Sequence, residues 1–218
     1  SKENYLNQER DKLILSKGHA SLCVYVLLEE LGIISKDTLH SYYKDGGKLI
    51  GHLDHKIEGV EVSTGSLGHG LPMAAGIALG NKLSGIRSKV YCLIGDGECN
   101  EGSIWESLIF ISKRKLNNLI IIIDGNSLQG YDLCRDIGDN EVLKNMLCSL
   151  DIDFYEVDGH DFNNLNEVFS KSDEAKKPSI IFANTIKGKG ISFMENKLEW
   201  HYKSPDEVQY ECALEELR

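Results

Sequence analysis

The sequence predicts a doubly wound α/β fold, a parallel sheet with helices on both faces, on three observations. Two apolar, β-branched-rich runs of strand length, Val90 to Ile94 and Leu119 to Ile123, each stop at a small polar turn, Gly95-Asp96-Gly97 and Asp124-Gly125-Asn126. Between them Asn100 to Lys115 reads as a helix, and a strand, crossover helix and second strand make a right-handed parallel unit. From Val90 to Asn184 strand and helix patterns then take turns, as they do in a parallel sheet covered on both sides.

In chain order, the first third reads as helices and loops. Ser16 or Ser21 caps a helix whose Leu22, Val26, Leu27 and Leu31 recur at helical spacing up to Gly32, and Ser35 opens a shorter helix toward Tyr43. Leu67 to Leu83, with Met73, Ala74, Ala75, Ile77 and Ala78, reads as a helix buried on most sides. After the two apolar strands come a polar loop from Ser127 to Ile137, a helix from Asn140 to Leu150 and a strand from Phe154 to Val157. A helix from Asn163 to Ala175, a strand from Ser179 to Asn184 and a terminal amphipathic helix from Asp206 to Leu217 complete the order. A chain of 218 residues can bury one substantial core, and no linker or repeat divides it, so residues 1–218 are expected to form one domain.

The net charge of −10 argues against nonspecific binding to nucleic acid or to an anionic membrane surface. No apolar run approaches a membrane span, and the first residues, SKENYLNQERDK, lack the apolar core of a signal peptide. A soluble, cytoplasmic protein is therefore expected. Cys23, Cys92, Cys99, Cys134, Cys148 and Cys212 are scattered without a Cys-x-x-Cys pair, which fits reduced thiols rather than disulfides or a zinc site. Cys92 lies in a predicted strand, and Cys99 stands close to the phosphate loop inferred below.

Parallel strands end on the same sheet edge, where open α/β folds collect their ligands, so Asp96 and Asn126 are expected to converge. A carboxylate and an amide oxygen are hard donors suited to Mg²⁺ or Ca²⁺, and Leu128, one strand step beyond Asn126, can lend its carbonyl. Gly95 and Gly97 remove side chains where a phosphate would approach backbone N–H groups, and the helix that follows points its positive end at the same place. Together these features predict a metal-bound diphosphate; either dipeptide alone would be read as a turn.

His19, His52 and His201 each stand beside small or polar neighbours, where an imidazole can donate to a phosphate oxygen or move a proton near neutral pH, or simply brace a loop. Gly51-His52-Leu53-Asp54-His55 admits a second reading as a transition-metal site, although no further ligand stands at a recognisable spacing. Ser66 could cap the helix that follows it. Glu101 and Glu106, on the first turns after the metal loop, interact favourably with the helix dipole. Lys187-Gly188-Lys189-Gly190 lacks Walker spacing and reads as a mobile loop over the site, one that contacts an anionic substrate.

The Gly95-to-Asn126 segment resembles the thiamine diphosphate motif, and its continuation ECNEGSIWE, Glu98 to Glu106, is similar to transketolases in particular. Asp11 to Tyr25 (DKLILSKGHASLCVY), Gly51-His52, Gly59 to Gly70 (GVEVSTGSLGHG) and Thr185 to His201 resemble further transketolase segments in the family's order, so the likeness covers nearly the whole chain. It implies a thiamine diphosphate-binding fold with thiamine diphosphate and Mg²⁺ as cofactors. On it, Asp96, Asn126 and the Leu128 carbonyl would hold the metal, and Asp96, Gly97, Glu98, Asn126, His19 and His201 would surround the diphosphate. Gly65, Ser66 and Leu67 would pack on the thiamine, and His69 falls where many members carry Gln.

The resemblance gives His19 and His201 places near the reacting carbon, His52 a place facing the substrate, and Glu101 a role at a subunit interface linking two active sites. The implied reaction moves a two-carbon ketol unit from a ketose or ketose phosphate to an aldose. Family members draw a cofactor-activating Glu from a pyrimidine-binding domain that has no counterpart in these residues. The chain is thus expected to be the diphosphate-binding half of a split enzyme, two copies assembling with two partner chains. It also begins after a family segment with a further Gly-His motif, which puts ordinary sugar-phosphate activity in doubt. Acyl transfer from a 2-oxo acid, and a noncatalytic scaffold that keeps the fold, are the competing readings.

Overall fold

In the computed structural model, residues 5, 7, 9–130 and 139–218 are described. Among them five strands, β1 (Lys12–Leu15), β2 (Val90–Gly95), β3 (Leu119–Gly125), β4 (Asp153–Asp158) and β5 (Ser179–Asn184), form one sheet in the order β1-β2-β3-β5-β4. All four pairings are parallel. The helices are α1 (Ser21–Glu30), α2 (Lys36–Leu39), α3 (Gly70–Leu83), α4 (Gly102–Arg114), α5 (Asn140–Cys148), α6 (Phe162–Glu174) and α7 (Glu207–Glu216).

Alternate residues of the central strands divide between two cores, which makes the sheet doubly wound. Val90, Cys92, Ile94, Leu119, Ile121, Ile123, Ile180 and Phe182 pack with Leu71, Ala74 and Ala78 of α3, with Ile104, Leu108 and Ile111 of α4, and with Leu143 and Leu147 of α5. On the other face Tyr91, Ile120, Ile122 and Ile181 meet Leu165, Val168 and Phe169 of α6. Leu93 and Leu15 there join Tyr25 and Leu28 of α1. Strands buried on both faces read as continuous apolar runs, which is why β3 and β5 are so evident in the sequence.

Several expectations are corrected in detail. The first third contributes a strand, β1, whose four residues Lys12–Leu15 are too few to show a period. Neither Ser16 nor Ser21 caps α1: Ala20 occupies that position, Ser21 Oγ donates to the Gly51 carbonyl (2.9 Å), and Ser16 Oγ turns to Glu98. Helix α3 starts at Gly70 behind His69, not at Ser66, and Gly76, Gly80 and Leu83 are exposed on it. A 3₁₀ turn, Gly97–Asn100, precedes α4, with Glu101 at the N-cap. The remaining helices carry the caps their chemistry favours, Asp139, Asp161 and an Asp206–Gln209 capping box. Helix α7 forms as expected but buries only Ala213. Residues 131–138 of the expected polar loop, with Cys134, lie outside the described residues.

The register positions the site. Gly95 pairs with Asp124 and Gly125 with Asn184, so the segments after β2, β3 and β5 leave the sheet side by side. The segment after β1 joins them through Ser16 N–H donating to the Leu93 carbonyl (2.8 Å).

Candidate functional site

Four strand ends meet on this edge: Lys17 to His19 after β1, Asp96 and Gly97 after β2, Asn126 to Gly130 after β3, and Thr185 to Lys187 after β5. Asp96, 4% exposed, accepts from Gly97 N–H (2.8 Å) with Oδ1 and from Ser127 N–H (2.7 Å) with Oδ2. Ser127 takes a left-handed backbone (φ +62°), and this bend brings the segment after β3 back onto Asp96. The Asn126 amide donates to Asp124 Oδ2 (3.2 Å), and its oxygen accepts from Leu128 N–H (2.9 Å) with a second lone pair to spare.

The histidines gather across the cleft. His19 and His201 have ring centroids 4.9 Å apart, and Tyr202 stacks on His201 at 4.6 Å. A Cβ added to Gly65 (φ +148°) would stand 3.0 Å from the His52 ring, and one on Gly130 would stand 2.7 Å from the Tyr202 hydroxyl, so glycine is what lets both loops approach. His52 is close enough to His19 to influence its titration.

The charge balance divides the cleft in two. Burial, then the Lys17, His201, Lys187 and His52 charges, push the His19 pKa down to about 4. Burial and then Lys187 and Lys17 lower His201, and burial and then Lys17 lower Lys187. This side repels protons and favours an anion. Burial raises the Asp96 carboxyl and Asp124 adds to the rise, against the N–H donors of Asn140, Ser127 and Gly97. That side favours a cation. Asp124 stands between them: burial works to raise it, but Lys17 and the hydrogen bonds from Lys17, Thr185 and Asn126 outweigh burial and hold it low.

Cation and diphosphate fit these residues. Oxygen donors line one side and imidazole and ammonium groups the other, as a hard metal and a diphosphate require. Of the six buried side-chain atoms without a hydrogen-bond partner among the described residues, three flank the cleft, Thr64 Oγ1, Gln129 Nε2 and Asn140 Oδ1. A Cβ on Gly95 would meet nothing within 4 Å, so that turn faces open space.

A family model described as the transketolase thiamine diphosphate-binding domain matches residues 1–209. The chain belongs to this transketolase family. It is 42% identical over 217 residues to a protein of Actinobacillus succinogenes named as one subunit of apulose-4-phosphate transketolase, covering 99% of this chain and 79% of that one. A Clostridium protein named as one subunit of 6-deoxy-6-sulfo-D-fructose transketolase is 37% identical, covering 96% of this chain and 77% of that one. Among solved structures, transketolase from Campylobacter jejuni superposes with a TM-score of 0.91 at 29% identity, over all of this chain and 35% of that one.

In this transketolase-family chain the other expected residues stand as follows. Leu67 is 45% exposed and Ser66 is exposed on the same cleft loop as Gly65. Glu98 is turned inward, its oxygens taken by Ser16, Gly68 and Gly95. Glu101 is exposed at the N-cap of α4 and packed against Gly68; His69 is exposed at the N-cap of α3. In the 51–55 segment His55 turns to Ser63 (2.8 Å) while His52 faces Gly65, and among the described residues no three His, Cys, Asp or Glu side chains gather as metal ligands.

Lys17, Asp124, Thr185 and Gln129 carry no local sequence signal of their own for this site, whereas Lys187 falls on the loop expected to lie over the site and contact an anionic substrate. Lys17 follows β1, a four-residue strand too short to show a period in the sequence. Asp124, two residues before Asn126, points to the same side of its strand, a relation legible from the period of two.

Proposed function

We propose that this chain is the diphosphate-binding subunit of a transketolase-like enzyme, transferring a two-carbon ketol unit from a ketose or ketose phosphate to an aldose. The observation that carries the reading is the composition of the cleft: the Asp96 carboxylate and the Asn126 amide oxygen on one side, and the paired His19 and His201 rings with Lys187 near them on the other, at one sheet edge. Relatives named as transketolase subunits, matching three quarters or more of their length, support a separate pyrimidine-binding partner. Residues 1–218 act as one diphosphate-binding domain, two copies joining two partner chains in the cytoplasm. Among the described residues no helix is long and apolar enough to cross a membrane.

When bound, thiamine diphosphate supplies a thiazolium carbon able to cleave the bond beside a carbonyl and carry the two-carbon unit. Asp96, the Asn126 amide oxygen and the Leu128 carbonyl would hold Mg²⁺. Gly97 and the Lys187 ammonium would hold the diphosphate, and Gly65, Ser66 and Leu67 would pack on the thiamine. His19, its pKa lowered to about 4 by burial and the neighbouring charges, is a neutral imidazole at pH 7 that can donate one N–H to a phosphate oxygen, and His201 is shifted in the same direction. His52 faces the substrate. Glu101, exposed at the N-cap of α4, lies at the interface between copies.

Calorimetric titration with thiamine diphosphate, with and without Mg²⁺ and a pyrimidine-binding partner chain, tests the proposal. Metal-dependent binding is expected, weakened about a hundredfold or more by Asp96→Ala, since a metal ligand and its charge are lost together. Ketol transfer is expected only with the partner present. Absence of binding under every condition would leave the scaffold reading in its place.

A further inference from the structure

Glu98 is 3% exposed, and its carboxylate is met by three segments at once. Oε1 accepts from Ser16 Oγ and from Gly68 N–H (2.8 Å), and Oε2 accepts from Gly95 N–H (3.3 Å). The partners are a hydroxyl and two backbone amides, none of them a cation. Ser16 Oγ in turn accepts from Gly70 N–H (3.1 Å), the first residue of α3, and a Cβ on Gly70 would overlap Ser16. The knot therefore ties the end of β1, the loop before α3 and the turn after β2. Those three segments carry His19, then Gly65 to Leu67, then Asp96 and Gly97.

We propose that Glu98 is a positioning residue: by gripping these three segments from beneath, it sets the gap into which a metal-bound diphosphate enters. The role rests on the reading of the cleft given above, and it replaces the direct cofactor contact that the family resemblance implies for Glu98. The physical ground is that a buried carboxylate leaves no donor free. If one segment shifts, the carboxylate loses a hydrogen bond it cannot replace with water, so the three move together or not at all. Two oxygens already committed to three donors have little to offer a cofactor, and a carboxylate has no attraction for a diphosphate.

Two measurements on the full chain test this. In the ligand-free protein, amide hydrogen exchange in segments 16–20, 64–70 and 95–100 is expected to quicken together in Glu98→Gln, by about tenfold or more, with β3 and β5 unchanged. Ser16→Ala, the milder variant, is expected to loosen the same segments less. Titration then compares Mg²⁺ with inorganic pyrophosphate and Mg²⁺ with thiamine diphosphate. Glu98→Gln should weaken both by the same factor, about ten- to a hundredfold, and adding Ser16→Ala should cost less than about threefold more, since both act through one knot.

A loss confined to thiamine diphosphate would show a direct contact and overturn the proposal. So would exchange that quickens in one segment only or in none. If the unaltered chain binds neither pyrophosphate nor thiamine diphosphate, the diphosphate reading itself fails, and the functional role of Glu98 fails with it whatever the exchange data show.

Discussion

Asp124 holds three groups with one carboxylate: the Lys17 ammonium, the Thr185 hydroxyl and the Asn126 amide. It thereby fixes the Asn126 amide relative to the Lys17 ammonium. Lys17→Met would leave this largely buried carboxylate without its cation, and stability should fall by roughly 2–4 kcal/mol, less than for a fully buried pair because some solvent reaches it. Urea unfolding measures the loss, and the double variant Lys17→Met/Asp124→Asn should recover about half of it. His19 gives a pH prediction with a definite sign. Its folded pKa of about 4 lies below the ordinary 6.5, so between those values the unfolded chain binds more protons. Stability is present above pH 6.5 and is lost as pH falls through the window toward 4, with His201 acting in the same direction. Thermal scans across this range should show a falling midpoint, and His19→Gln should flatten the slope. Asp96 and Asn126 could be located from sequence because each follows an apolar run that stops abruptly. Lys17 could not, because its partner lies 107 residues away and the pairing exists only once β1 is in the sheet.

Strands β2, β3 and β5 were legible as elements because burial on both faces leaves an unbroken apolar run between turn residues. The helix starts were less so: Ser16, Ser21 and Ser66 have the chemistry of caps, but the first two are drawn into tertiary hydrogen bonds and Ser66 lies outside the helix start. The glycines of the segment leading into α3 and of α3 itself separate two effects. At Gly68 (φ +77°) a Cβ would overlap Ser103 Oγ and come 2.7 Å from Glu101 Cβ, whereas at Gly76, within α3, it would meet nothing within 4 Å. Gly68→Ala should cost about 2 kcal/mol or more from backbone strain and overlap. Gly76→Ala should raise the stability of the isolated chain by about 0.5–1 kcal/mol, because helix interior glycine is entropically expensive. Opposite shifts in melting temperature are the expected readout, and shifts of one sign would contradict the packing described for this pair.

Among the described residues, α1 leaves Leu22, Val26 and Leu27 exposed, with Leu31 just after it, and other helices expose apolar side chains too, among them Ile109 and Phe110 on α4 and Val142 and Met146 on α5. A helix apolar on nearly all sides belongs inside a larger body. Light scattering of the chain mixed with a pyrimidine-binding partner should give the mass of two copies of each, and a complex of one with one would refute that assembly. The sheet topology has a further consequence, one of time. Strand β1 is synthesised early but pairs only with β2, and Lys89 N–H reaches Asp11 Oδ1 across 78 residues of chain. Thr185, Lys187 and His201 are made later still, after β5. No nascent N-terminal portion therefore owns a working pocket. The segments before β2 wait for those after β5, so capture of the cofactor would report that translation has passed β5 and that the sheet has assembled.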